Sequence, residues 1–130
     1  VPSCLFTPIS IVPSCLYTEP EIASVGLTET QAREKGVQIR VGRYDMKGNG
    51  QQIISRETGG FIKVIFAANS DVLLGAQIMC ARATDMIGEL ATALANGLTS
   101  TQLMYAMRAH PTFNEAISCA VENSRDNIKE

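Results

Sequence analysis

Phe61-Ile62-Lys63-Val64-Ile65-Phe66-Ala67, then Asn69-Ser70-Asp71, then Val72-Leu73-Leu74-Gly75-Ala76-Gln77-Ile78-Met79 is the stretch whose reading decides the architecture. Two apolar runs of strand length flank three residues that favour tight turns, so the segment predicts a β-hairpin. A link this short makes the two strands antiparallel neighbours. Upstream, Gln51 to Arg56 reads as a further strand joined to the hairpin through Gly59-Gly60. Val37, Ile39 and Val41 alternate with Gln38 and Arg40, the period-two pattern of a half-buried strand, and that run breaks at Gly48-Asn49-Gly50. Further back, Thr28 to Gln31 forms a capping box that opens a short, exposed helix ending at Gly36. Ile22 to Leu27, before it, is a short apolar piece.

Downstream of Arg82 the period changes. Ile87, Leu90, Ala91, Leu94 and Leu98 share one face at helical spacing, and Gly97 stands where such a helix would stop. Thr99 to Gln102 is a second capping box, leading into Met104 and Tyr105. Phe113, Ala116, Ile117, Ala120 and Val121 form the apolar stripe of a last helix, whose polar end runs from Asn123 to Glu130. Strands followed by helices predict an α+β domain: an antiparallel sheet of about four to five strands with helices packed on one face.

The chain has 130 residues, enough for one core and too few for a separate cofactor domain beside it. With 45% hydrophobic and 18% charged residues it is not a disordered polypeptide. A net charge of -2 gives no basic footprint for nucleic acid or an anionic membrane surface, and no apolar run is long enough to span a bilayer. We therefore expect a soluble protein without nucleic-acid or membrane partners. Cys4, Cys15, Cys80 and Cys119 show neither a Cys-x-x-Cys pair nor metal-ligand spacing and read as isolated small apolar residues; no metal site is expected. Val1 to Pro8 is nearly repeated by Val12 to Pro20, so residues 1–11 read as an extra strand, arm or tail ahead of a domain over 12–126, with a polar tail over 127–130. The N-terminus has no signal-peptide pattern.

The densest chemistry lies in Ala109-His110-Pro111-Thr112-Phe113-Asn114-Glu115, which holds the single histidine of the chain. Thr112 and Glu115 are spaced to cap a helix, and Pro111 stiffens the preceding corner. The Glu115 carboxylate has two competing uses: the Thr112 amide, favoured by the helix dipole, or the ring of His110. The His110–Pro111 bond is either an ordinary trans bond or a cis one. An imidazole titrates near neutrality and is suited to moving protons. Gly48-Asn49-Gly50 lacks the third glycine and the strand-turn-helix setting of a dinucleotide motif, and reads as a turn. Cys119 is too far along the helix to pair with His110 as a nucleophile.

The run Arg108 to Ala116 resembles the C-terminal signature of the flavin-dependent disulfide oxidoreductases, most closely the dihydrolipoamide dehydrogenase branch. Tyr17 to Thr28 is similar to that family's entry into its interface domain, and Gly59 to Val64 to its central hairpin. The resemblance implies the family's interface, or dimerisation, fold, and a homodimer. It implies that His110 is the acid/base for a dithiol on the other subunit and that Glu115 orients it, with the capping bond left to Thr112. It also implies a cis His110–Pro111 bond, with the backbone at His110 and Pro111 near the partner's FAD. The parent enzyme would use FAD and NAD to oxidise dihydrolipoamide, in the cytoplasm or the mitochondrial matrix. A glutathione reductase-like branch matches less well, because of Phe113-Asn114-Glu115-Ala116.

A flavin site, a nicotinamide site and a redox cysteine pair are all missing from these residues. The expectation is therefore a piece of such an enzyme, without a cofactor of its own and inert alone, whose FAD and NAD domains lie elsewhere. A free-standing homodimerisation module of the same fold is the alternative.

Overall fold

The computed structural model describes residues 9–126. The segments 1–8 and 127–130, with Cys4, the first copy of the repeat and the polar tail, lie outside the described residues. Five antiparallel strands form one sheet in the order β1-β2-β5-β4-β3. They are β1 (Ser14–Leu16), β2 (Glu21–Gly26), β3 (Ile39–Asp45), β4 (Phe61–Ala67) and β5 (Leu73–Cys80). The helices are α1 (Glu29–Glu34), α2 (Gly50–Ile54), α3 (Ala83–Ala95), α4 (Ser100–Tyr105) and α5 (Glu115–Asp126).

The β4–β5 hairpin is the centre of the sheet, as its nearly continuous apolar runs, buried on both faces, require. Asp71, at φ 64°, makes the turn. Its carboxylate accepts from the Ser100 hydroxyl at 2.6 and 2.8 Å and is paired with Arg40, so the turn is tied to both α4 and β3. Ile62, Val64, Phe66, Ala76 and Ile78 point to the face covered by α3 and α5 and are buried there. Ile65, Ala67 and Leu74 point the other way and make a smaller core with Leu27 and Ala32 of the α1 region. So α1 is not wholly exposed: its Ala32 is sealed against the sheet.

Helix α3 packs over β2 and β5, and α5 over β3 and β4. Ala116, Ile117, Ala120 and Val121 of α5 are all fully buried. Burial of an Ile or Val side chain stabilises by about 1.5–3 kcal/mol, so this stripe anchors the helix that carries Glu115. Both capping boxes expected from the spacing are present, at Thr28 with Gln31 and at Thr99 with Gln102.

The strand expected over Gln51 to Arg56 is absent; the chain there forms a 3-10 turn over Met46–Gly48 and then α2. The reason is local. The Asn49 side chain accepts from the Gln52 amide at 3.0 Å and caps a helix, while β3 pairs directly with β4, so no strand is inserted between them. Ile53 and Ile54, whose β-branched character suggested a strand, are each 65% exposed. Gly59-Gly60 thus leads from α2 into β4 and does not close a two-strand hairpin.

Candidate functional site

The link between α4 and α5 carries His110. Helix α4 ends at Tyr105, and the chain turns through a cis His110–Pro111 bond before α5 begins at Glu115. Glu115 Oε1 lies 2.7 Å from His110 Nδ1. Its other oxygen, Oε2, accepts from the Thr112 amide at 3.2 Å. The two uses that looked exclusive are therefore made at once, one oxygen each. Thr112 does not form the capping bond expected of it: its hydroxyl donates to the Ala109 carbonyl at 2.7 Å, and α5 opens three residues later.

A carboxylate accepts only, so in the neutral ring the 2.7 Å contact places the proton on Nδ1 and leaves Nε2 with a free lone pair. The imidazole is oriented and yet 78% exposed, whereas the Glu115 side chain is 27% exposed. Such a group can take up or deliver a proton at Nε2 to something approaching from outside the chain.

Two neighbours of this corner escaped the sequence reading. Asn49, 3% exposed, donates from its side-chain nitrogen to the Thr112 carbonyl at 3.0 Å. Arg108, its side chain 5% exposed, pairs with Glu89 on α3 at 3.0 Å. Their partners are distant in sequence, so no local spacing announces them.

The other sulfur atoms stay apart from the site's chemistry. Cys119 is half-buried, and burial together with nearby Glu122 pushes its thiol above the usual cysteine range. Burial likewise pushes up the Cys80 thiol. Among the described residues no cluster of three or more His, Cys, Asp or Glu could hold a metal ion. No helix of the described residues is long and apolar enough to cross a membrane.

The residues present do not make a dinucleotide site. The glycine-containing loop at Gly48-Asn49-Gly50 opens a helix of five residues, and the cap bond from Asn49 already occupies the Gln52 amide that a phosphate would need. Beside His110, an open depression of about 400 Å³ is lined by Gln51, Arg82, Met86, Pro111 and Phe113 among others. The first turns of α3 and α5 border it, through Arg82 and Asn114, but no glycine lines it.

Comparison with known proteins gives a consistent answer. The family model described as "Pyridine nucleotide-disulphide oxidoreductase, dimerisation domain" matches residues 12–121. Dihydrolipoyl dehydrogenase of Bacillus subtilis is 40% identical over 111 residues, covering 85% of this chain and 24% of that protein. The Rhizobium etli dihydrolipoyl dehydrogenase is 42% identical over 110 residues, with 85% and 23% covered. The chain thus spans about a quarter of the length of the curated relatives it matches. Among solved structures, the HOCl-induced flavoprotein disulfide reductase RclA of Escherichia coli superposes with a TM-score of 0.83 at 26% identity, over 88% of this chain and 26% of that one. LpdA of Mycobacterium tuberculosis shares the fold with a TM-score of 0.82 at 23% identity, over 93% and 26%.

Proposed function

The chain belongs to the pyridine nucleotide-disulphide oxidoreductase dimerisation-domain family, and on that premise we propose that it is the interface piece of a dihydrolipoyl dehydrogenase-like flavoprotein, lending His110, steered by Glu115, to a site completed by a second subunit. The observation that carries this reading is an imidazole locked in one orientation by its own chain and presented outward. An acid/base meant for its own domain would be enclosed by it.

In this reading His110 Nε2 takes the proton of a substrate thiol, a dithiol such as dihydrolipoamide, as that sulfur attacks a disulfide on the partner subunit. The sulfur–sulfur bond of the partner breaks as the mixed disulfide forms, its other sulfur leaves as a thiolate, and the imidazolium is held by the Glu115 carboxylate until it gives the proton to that thiolate. Glu115 keeps Nδ1 protonated, so that Nε2 is always the acceptor. Flavin and nicotinamide chemistry belongs to parts of the parent protein outside this chain, which contributes only its backbone edge at His110 and Pro111. FAD and NAD are therefore cofactors of the parent, and the chain alone is inert.

The homodimer is supported by large apolar side chains around the same corner. Ile53 and Ile54 on α2, Tyr105 at the end of α4 and Met107 after it are exposed by 65% or more. A second copy covering them would sit beside His110.

The test is a chimera in which residues 12–121 replace the matching quarter of the Bacillus subtilis dihydrolipoyl dehydrogenase, with and without His110→Gln. Removal of a general acid/base should slow the dithiol half-reaction by about 100-fold or more while bound flavin is unchanged. Equal turnover in the two chimeras overturns the assignment. The 130-residue chain mixed with flavin, NADH and lipoamide should show no turnover, and measurable reduction of lipoamide would refute its inertness.

A further inference from the structure

His110 stands at the tip of a short irregular corner, and a corner bearing a solvent-facing side chain has few contacts of its own to hold it still. Two buried polar side chains grip it from opposite sides. After the histidine, the Asn49 carboxamide joins α2 to the corner: its oxygen accepts from the Gln52 amide at 3.0 Å, and its nitrogen donates to the Thr112 carbonyl at 3.0 Å. Before the histidine, Arg108 binds four groups. Its Nε donates to both oxygens of Glu89, at 3.0 and 3.3 Å. Its Nη1 donates to the carbonyls of Leu103 and Ala106, each at 3.2 Å, and to the Ser118 hydroxyl at 2.7 Å. One guanidinium thereby gathers α3, the end of α4 and α5 two residues ahead of His110.

Neither residue is the simplest solution for stability. Arg108 is buried with its Nη2 unpartnered, a costly arrangement that a long apolar side chain of similar volume would avoid. Asn49 could be serine and still cap α2. What these two supply, and the simpler residues would not, is a directional bond to the backbone on each side of His110. Glu115 cannot do this alone. It fixes the ring, yet the ring can keep its 2.7 Å contact only while the backbone of His110 keeps its place relative to α5.

We propose that Asn49 and Arg108 are positioning residues that clamp the His110–Pro111 corner, so that the imidazole keeps its Nδ1–H bond to Glu115 and presents Nε2 outward. This deepens the reading of His110 as proton carrier and rests on it. The residues act through His110 and touch no reacting atom.

The chain contains one histidine, so a nitrogen-15 NMR spectrum of the 130-residue protein shows one pair of ring nitrogens, whose shifts report which of them carries the proton. In the unsubstituted chain the Nδ1–H tautomer should dominate. Asn49→Ser and Arg108→Met should each move the ring toward the mixed tautomers of an unrestrained histidine, with the amide spectrum of the sheet unchanged. Arg108→Lys, which keeps the charge and loses the fork, should fall between. Ring signals identical to the parent chain in the folded variants overturn the clamp. If Arg108→Met does not fold, Asn49→Ser decides alone. Glu115→Gln must shift the same signals; if it leaves them unmoved, the pair the clamp is meant to hold does not exist and the proposal falls with it. Loss of turnover in the His110→Gln chimera with unmoved ring signals in the clamp variants would keep the proton carrier and remove the clamp.

Discussion

A carboxylate has two oxygens, and at Glu115 each has its own partner. Sequence spacing shows that a glutamate can reach a backbone amide and that it can reach an imidazole. It does not show lone-pair directions, so the two uses looked like rivals. The same limit applies to Thr112, whose hydroxyl turned back to Ala109. His110, Pro111 and Glu115 were legible because they are near neighbours in one motif. Asn49 and Arg108 were not, because Asn49 meets Thr112 across 63 positions and Arg108 meets Glu89 across 19. A further carboxylate gives a pH prediction at this scale. Glu29 pairs with Lys63 at 2.6 Å and with Arg33 at 2.8 Å, and Lys63 first, then Arg33, hold its pKa below the ordinary 4.5. Because the folded value is the lower one, this pairing stabilises fully above the ordinary glutamate value and is lost as the pH falls through the folded value. Glu29→Gln should cost about 0.5 kcal/mol at neutral pH, a typical figure for partly exposed pairs. In thermal melts the difference from the parent chain should vanish in acid below the usual glutamate range; a gap that widens there would contradict it.

The elements with long-range periodicity were read well: the β4–β5 hairpin, the apolar stripes of α3 and α5, and the two capping boxes. Helix α2 was misread because two adjacent isoleucines suggest a strand, while the helix depends on a single cap. The signal that could have found it is Asn49 standing three residues before Gln52, the same spacing that identified α1 and α4. What no pattern announces is how closely α5 approaches the sheet. A Cβ at Gly42 on β3 would lie 2.0 Å from the Ala120 carbonyl oxygen and 2.8 Å from the Ser124 Cβ, so the helix rests directly on strand backbone. Gly42→Ala must push α5 outward, and overpacking of this kind costs about 1–3 kcal/mol. Urea unfolding should show that loss, and because α5 carries Glu115, the His110 ring signals should shift as well. Unchanged stability would mean that α5 is not seated as described.

At the scale of the whole molecule, the α+β class follows from strands preceding helices and the dimerisation-domain fold from the resemblance carried by Arg108 to Ala116, whereas the strand order β1-β2-β5-β4-β3 needed coordinates. Of the large apolar side chains left outside the core, Ile53, Ile54, Tyr105 and Met107 come from elements adjoining the His110 corner, while Ile11, Val12, Leu16, Tyr17 and Ile22 lie at the β1–β2 end. Sedimentation of the chain at high concentration should show a dimer, and Ile53→Lys combined with Met107→Lys should give a monomer with an intact circular dichroism spectrum. A monomer at all concentrations for the parent chain would refute the association. The outward-facing, carboxylate-held ring of His110 then has a kinetic consequence for the assembled enzyme. On the proposed role of His110, aim comes from one polypeptide and shelter from bulk water from another, so dilution should extinguish turnover while each chain is still folded. Specific activity should decline with falling subunit concentration well before any optical sign of unfolding.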